Sequence, residues 1–268
     1  MSRLLLLSPL LLFLGLAYLL PLSGVMLQSV TTPEPGLQNY SAALGDPLVW
    51  SVIWRTLRVC LCVTVLAVVL AYPLTLLWLK GNTATRVLVE LAIMIPFWLS
   101  VLSRAFGWLS LLSNRGLINS WLQSLGIIAE PLTMVRNEFG VVIGMMHFLI
   151  PFAVFPLASA MRSVDDRVIL AARGMGASRM RIFWQIFVPM TKSGIVGAAL
   201  LVFVFSLGFY IVPTLLGGGR SVMIAELIYL RIFQIPNWGL AAALSALLMV
   251  SIGAFLVALI KRAGVSTT

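Results

Sequence analysis

The sequence is poor in the side chains that do chemistry. Its 268 residues include one histidine, His147, two cysteines and eight acids. A serine-type intramembrane hydrolase needs a base, yet His147 sits in an apolar run beside Met145 and Met146, where a packed, hydrogen-bonded ring is expected. Cys60 and Cys62 form one close pair, which suits neither a disulfide framework nor a zinc site; they read as small apolar packing residues. Asp165 and Asp166 are adjacent, but no second acidic cluster joins them to complete a metal site. No G-x-x-x-x-G-K-[ST] phosphate loop occurs, since Gly217-Gly218-Gly219 runs into Arg220-Ser221 rather than lysine. These absences argue against an enzyme, and any energy from ATP must be supplied by another chain.

Charge is scarce too, at 10%, whereas 61% of residues are hydrophobic and the mean hydropathy is +1.07. A water-soluble domain cannot cover that much apolar surface. Crossing a hydrocarbon core of about 30 Å takes roughly 20 apolar residues. Six runs reach that length: 4–27, 51–79, 87–113, 139–161, 193–216 and 239–260. The expectation is an all-α integral membrane protein with six transmembrane helices and short connections. The opening Met1-Ser2-Arg3 before a Leu-rich run also looks like a secretory signal, but no clean small-x-small site follows, so an uncleaved first span is expected.

A formal charge of +10 invites a nucleic-acid reading, which the distribution of basic residues argues against. With the N-terminus inside, eleven Lys and Arg fall in inner segments and seven, Arg55, Arg58, Arg104, Arg115, Arg136, Arg220 and Arg231, outside or near the outer ends. That bias places both termini in the cytoplasm. Among the outer connections, 28–50 reads as an irregular cap and 117–125 as a surface-lying piece. Pro73, Pro96, Pro151, Pro156 and Pro213 lie in or at the ends of spans; such kinks suit a bundle around a transient cavity, and proline is also simply commoner in membrane helices.

The stretch 165–189 is charged, punctuated by glycine and set between apolar runs. Asp165 and Asp166 suit a helix N-terminus, with the helix running through Arg173. Gly174 and Gly176 supply the freedom for a sharp turn, and Ser178 is placed to cap a second helix that ends before Pro189. Met180, Phe183, Trp184 and Phe187, at i, i+3, i+4 and i+7, form one apolar stripe. Two readings follow: a helix–turn–helix that inserts into a groove on a soluble partner, or an amphipathic helix resting on anionic lipid.

The same stretch, DDRVILAARGMGASRMRIFWQIFVP, resembles the signature loop of the membrane subunits of binding-protein-dependent ABC importers: E-A-A, three residues, Gly, nine residues, I-x-L-P. Ala171, Ala172, Gly176, Ile186 and Pro189 fall on that register, while Leu170 stands where the family usually has Glu and Val188 where it has Leu. The resemblance runs from about residue 50 to 260. Its segments IPFWLSVLSRAFGWLSLLSNRGLINSWL, LRVCLCVTVLAVVLAYPLTLLWL and GFYIVPTLLGG are similar to the first of two permeases in spermidine/putrescine-type importers. It implies the type I ABC importer transmembrane fold in the bacterial inner membrane. A first helix and periplasmic segment would occupy 1–50, the transmembrane domain 51–260 with a cytoplasmic coupling loop at 162–192, and a cytoplasmic tail 261–268. Implied partners are a second homologous permease, a cytoplasmic ATPase dimer, a periplasmic binding protein and membrane lipid. No cofactor is expected on this chain; ATP and Mg belong to the ATPase. The coupling residues would be Asp165, Asp166, Leu170, Ala171, Ala172, Arg173, Gly174, Gly176, Ala177, Ser178, Ile186 and Pro189, with Asp166 or Arg173 standing in for the missing Glu.

A secondary carrier or channel is the alternative, and such proteins place ionisable groups deep in their spans. Arg104 is the clear candidate. On a straight third span it lies about 25 Å from Val87, nearer the outer face, where it either snorkels outward or lines the path. Glu90 reads as a structural residue in the first turn of that span. A polyamine path needs acids or aromatic faces, for which Trp98, Trp108, Phe209, Tyr210 and Glu226 are available. Arg55, Arg58 and Arg104 would repel a polycation unless paired, so another small solute remains an alternative.

Overall fold

The structure is a computed structural model that describes residues 3–262; the tail expected at 261–268 lies outside the described residues from 263 onward. In chain order the helices are α1 (Arg3–Leu14), α2 (Leu20–Thr31), α3 (Gln38–Gly45), α4 (Pro47–Lys80), α5 (Thr83–Trp98), α6 (Val101–Leu112), α7 (Leu117–Ser124) and α8 (Glu138–Arg162). They continue with α9 (Asp166–Gly174), α10 (Arg179–Ile182), α11 (Val188–Met190), α12 (Lys192–Leu207), α13 (Ile211–Gly217), α14 (Ile224–Phe233) and α15 (Trp238–Arg262). No strand occurs among the described residues.

Four helical stretches are long and apolar enough to cross a membrane, and six spans result if each of two bent pairs counts as one. Counted that way the six expected spans are present, and two of them are bent far more sharply than a proline kink. The third run breaks at Leu99-Ser100, and the arm Val101–Ser124 turns by 108° from α5. Two arms at that angle cannot both follow the membrane normal. The fifth run ends at Leu207, and a fresh helix starts at Ile211 after Gly208-Phe209-Tyr210. The supposed irregular cap at 28–50 contains α3 and the start of α4, capped where the Asp46 side chain accepts from Leu48 N at 2.8 Å.

The chain forms two compact units, Met1–Ile53 with Ile224–Thr268, and Trp54–Met223. In the first, α15 packs on α2 and α3. Asn39, nearly buried, donates to Ser29 O at 3.0 Å and Thr32 O at 2.6 Å, and Gly239 comes so close to both Thr32 and Asn39 that a Cβ there would overlap them.

The second unit is organised around α8. Gly194 of α12 meets Ala160 and Pro156 so tightly that an added Cβ would lie 2.4 Å from the Ala160 methyl. Small residues let helix backbones approach, which is how helices associate where lipid is as apolar as leucine. The part of α4 in this unit follows the same logic: Cys60, Val63, Ala67 and Ala71 are fully buried, while Leu61, Val65 and Val69 face outward. Cys62 is therefore an outward residue, not a packed one.

Two turns widen to π geometry, Gly15–Leu19 and Phe183–Phe187, and each ends two residues before a proline, Pro21 and Pro189. A proline inside a helix removes one N–H and pushes against the carbonyl four residues back; one wider turn relieves both. The helix beyond Ser178 therefore runs through Pro189 to Met190 instead of ending before it.

Candidate functional site

Both ends of the loop's first helix are built as the sequence implies. The Asp165 side chain accepts from Arg167 N at 2.8 Å and starts α9. At its other end Gly176 N bonds Arg173 O at 2.9 Å and Ala177 N bonds Ala172 O at 3.1 Å, the paired closure of a Schellman turn. That closure needs a left-handed residue, and Gly176 has φ of +80°. Gly174 does not share this requirement, because its φ lies outside the left-handed region and it completes α9. Ser178 Oγ then accepts from Arg181 N at 3.3 Å to open the second helix.

The expected apolar stripe divides. Phe187 and Ile182 are buried and Phe183 is half-buried, whereas Met180 and Trp184 are 67% and 61% exposed. The π turn adds a residue to the register, so the inward face runs through Ile182, Phe183 and Phe187. Left outside are Leu170, Met175, Met180 and Trp184, each more than 60% exposed, together with Val168 at 40%. Ala172 is buried, Ala177 and Ile186 are half-buried, and Ala171, Arg173 and Pro189 are exposed.

Two residues of α4, Lys80 and Tyr72, tie it to this loop and the corner that follows. Lys80 Nζ lies 2.9 Å from Asp166 Oδ1, so Asp166 already has a partner within the chain. The Tyr72 hydroxyl lies 2.8 Å from Thr191 Oγ1, and the Tyr72 ring packs edge-on against Phe183 at 6.0 Å. Between α4 and the loop lies an open groove of about 520 Å³, lined by Leu76, Leu170, Arg173, Arg179 and Phe183 among others. Sequence reasoning missed Tyr72 and Lys80, whose partners stand 119 and 86 residues away.

The second cluster lies within the spans. Trp98, 81% exposed at the end of α5, touches Phe97, and rings follow one another through Phe152 (5.6 Å), Phe148 (5.9 Å) and Phe209 (4.9 Å). The guanidinium carbon of Arg104 sits 4.0 Å from the centroid of Phe148. Trp108, one turn on from Arg104, donates through Nε1 to His147 Nδ1 at 3.1 Å. An indole nitrogen only donates, so Nδ1 of His147 is an acceptor and the neutral ring carries its proton on Nε2.

Arg104 is deeper than counting along a straight span implies. The break at Leu99-Ser100 makes that count inapplicable, and Phe148 is the eleventh of the 25 residues of α8, about 15 Å along it at 1.5 Å per residue. The guanidinium therefore lies near mid-span, not at the outer end. A charge at the bilayer centre costs about 2.5–3.5 kcal/mol on insertion scales, which argues that this aromatic face meets protein or water, not acyl chains. Nε and NH1 of Arg104 are buried and have no hydrogen-bond partner among the described residues.

Other expectations fare differently. Arg58 is paired with Glu138, its NH2 2.6 Å from Oε2, and Arg55 Nε lies 3.5 Å from the same carboxylate. Their charge is thus partly neutralised. Glu90 is two turns into α5, which begins at Thr83 under an Asn82 cap, and so lies beyond the first turn where the helix dipole acts. Tyr210 precedes α13, its carbonyl accepting from Thr214 N and Oγ1. Glu226 is buried in α14, in the other compact unit, and the rings above do not include it. Phe97, Phe148 and Phe152 were not anticipated; phenylalanine at helical spacing in an apolar run reads as core.

Apolar helices, bent spans and a structured loop pinned to one of them define a polytopic membrane protein. The chain belongs to the family of binding-protein-dependent transport system inner membrane components, whose sequence pattern matches residues 79–263. It is 35% identical over 220 residues to the spermidine/putrescine transport system permease protein PotB of Salmonella typhimurium (strain LT2), covering 82% of this chain and 76% of that one. Against the PotB of Escherichia coli (strain K12) the identity is 34%, with 82% and 80% covered. A chain of the crystal structure of a bacterial alginate ABC transporter, bound to a periplasmic protein carrying an alginate pentasaccharide, superposes with a TM-score of 0.77. That match covers 98% of this chain and 95% of the other at 18% identity, and it shows the shared fold. The all-α importer fold expected from the resemblance is the fold of this chain. Family membership places it among transport permeases of the inner membrane rather than among secondary carriers.

Proposed function

We propose that this chain is one permease of an ATP-driven importer for polyamines, small cations of the spermidine and putrescine type, and that residues 165–189 couple it to a cytoplasmic ATPase. One observation carries the coupling role: Leu170, Met175, Met180 and Trp184 are exposed on a short segment that is fastened to α4 and joins α12 through a sharp bend. Exposed apolar groups on an ordered, charged loop suit a protein groove, where burial is favourable at roughly 25 cal/mol per Å². In this reading Leu170 replaces a polar contact with an apolar one, so the ATPase groove offers an apolar wall there. ATP and Mg stay on that partner, a second permease completes the path, and a periplasmic binding protein delivers the solute. Both termini and the loop lie in the cytoplasm, in keeping with the basic residues of the inner segments.

The names of the PotB relatives support the solute class, as does a row of aromatic faces in the spans. Pairing of Arg55 and Arg58 with Glu138 lowers the repulsion that a polycation would otherwise meet. Uptake of radiolabelled putrescine and spermidine by cells with and without this chain, its partner subunits present in both, tests the assignment. Energy-dependent accumulation restored by the chain is expected. Accumulation equal in both strains would refute the solute class.

A further inference from the structure

Arg104 poses a problem for a cation path. It is a fixed positive charge near mid-span, none of the ion pairs among the described residues includes it, and two of its buried N–H-bearing nitrogens find no acceptor there. What holds its head group is the face of Phe148, at 4.0 Å. A face-on aromatic ring is also what a solute ammonium would seek in a site without carboxylates.

We propose that Arg104 is a specificity-determining residue: its guanidinium is a tethered cation that occupies the Phe148 ring face until an ammonium group of the solute takes it over. This inference rests on the polyamine reading and extends it. The neighbouring rings give the displacement a direction, since Phe209, Phe148 and Phe152 follow one another at 4.9 and 5.9 Å. A chain of ammonium groups joined by short methylene runs can engage successive faces while it evicts the arginine. A single hydrated inorganic cation has no second point of attachment, and it meets the fixed positive charge as a barrier. Next to this site Trp108 holds His147 with Nε2–H as a donor, so that ring offers no lone pair for a cation at Nδ1. The site therefore discriminates by the number of linked charges, with Arg104 setting the threshold.

The test is calorimetric titration of putrescine into the purified permease assembly without its binding protein. Arg104→Gln empties the ring face and is expected to bind putrescine roughly tenfold more tightly than the parent, the loss of one desolvated cation–π competitor. Arg104→Lys keeps a tethered cation and should match the parent. Adding Phe148→Leu to Arg104→Gln should abolish the gain. Unchanged affinity in Arg104→Gln, or a gain that survives Phe148→Leu, overturns the proposal. Should Arg104→Gln fail to assemble, Phe148→Leu alone decides: weaker putrescine binding supports a shared ring face, and unchanged binding refutes it. Cellular uptake separates the two levels. Polyamine uptake without the titration effect removes only the tethered-cation role, whereas the titration effect without polyamine uptake keeps that role and removes the polyamine assignment.

Discussion

The Tyr72 hydroxyl and Thr191 Oγ1 lie 2.8 Å apart, joining α4 to the corner where the loop helix turns by 61° into α12. Thr191 is fully buried and also donates to Phe187 O or Val188 O. One corner therefore links the loop helix to both α4 and α12. Removing the hydroxyl with Tyr72→Phe leaves Thr191 with its backbone acceptors, so the expected loss is about 0.5–1.5 kcal/mol. A lowered thermal midpoint in detergent reads that loss. Reduced solute uptake at unchanged ATPase rate in the assembled transporter reads the weakened transmission.

The two glycines of the loop should respond oppositely. Gly176→Val forces a β-branched residue to φ of +80° and opens the Schellman closure, at a cost of about 1–2 kcal/mol or more. Gly174→Ala meets nothing within 4 Å and adds a better helix former to the end of α9, so it should be neutral or slightly stabilising. Thermal midpoints of the two variants, measured side by side, check this.

Between α8 and α12 the tolerance is equally position-specific. Gly194→Leu drives a side chain into the Ala160 methyl and the Pro156 carbonyl, an overpacking of about 1–3 kcal/mol or more where backbones are this close. Gly197→Ala makes only an ordinary 3.6 Å contact with Pro156 and should accumulate in membranes like the parent. Comparing folded protein recovered in mild detergent tests both.

The Lys80–Asp166 pair is exposed, 55% and 75% for the two side chains, and its worth is correspondingly small. A double-mutant cycle with Lys80→Gln and Asp166→Asn should give a coupling below about 1 kcal/mol that shrinks further as salt rises. A larger, salt-insensitive coupling would show that the pair is shielded from water in the membrane.

What the sequence revealed of this architecture depended on whether the signal was local. The caps at Asp165 and Ser178 and the turn at Gly176 were legible because each is decided by residues within one turn. Apolar runs, by contrast, look the same whether a helix continues or folds back. Pro73, Pro151 and Pro156 sit inside unbroken helices, while the chain breaks just after Pro96. Neighbouring helices decide which freed carbonyls are satisfied, and that information is not local. The loop stripe failed for a related reason: Pro189 shifts the register through a π turn, and both candidate faces are apolar enough to be buried. The depth of Arg104 followed from the break at Leu99-Ser100, which no count of residues could supply.

The central claim is that the loop at 165–189 is gripped by a nucleotide-hydrolysing partner. Purification of the tagged chain from membranes of cells expressing its full transporter tests it most directly, with ATPase activity measured on the purified material. The parent should retain a soluble ATPase, and Leu170→Asp combined with Trp184→Asp should release it while the folded permease is still recovered. Retention of the ATPase by that double variant, or its absence from the parent together with uptake driven by an ion gradient, would contradict the account.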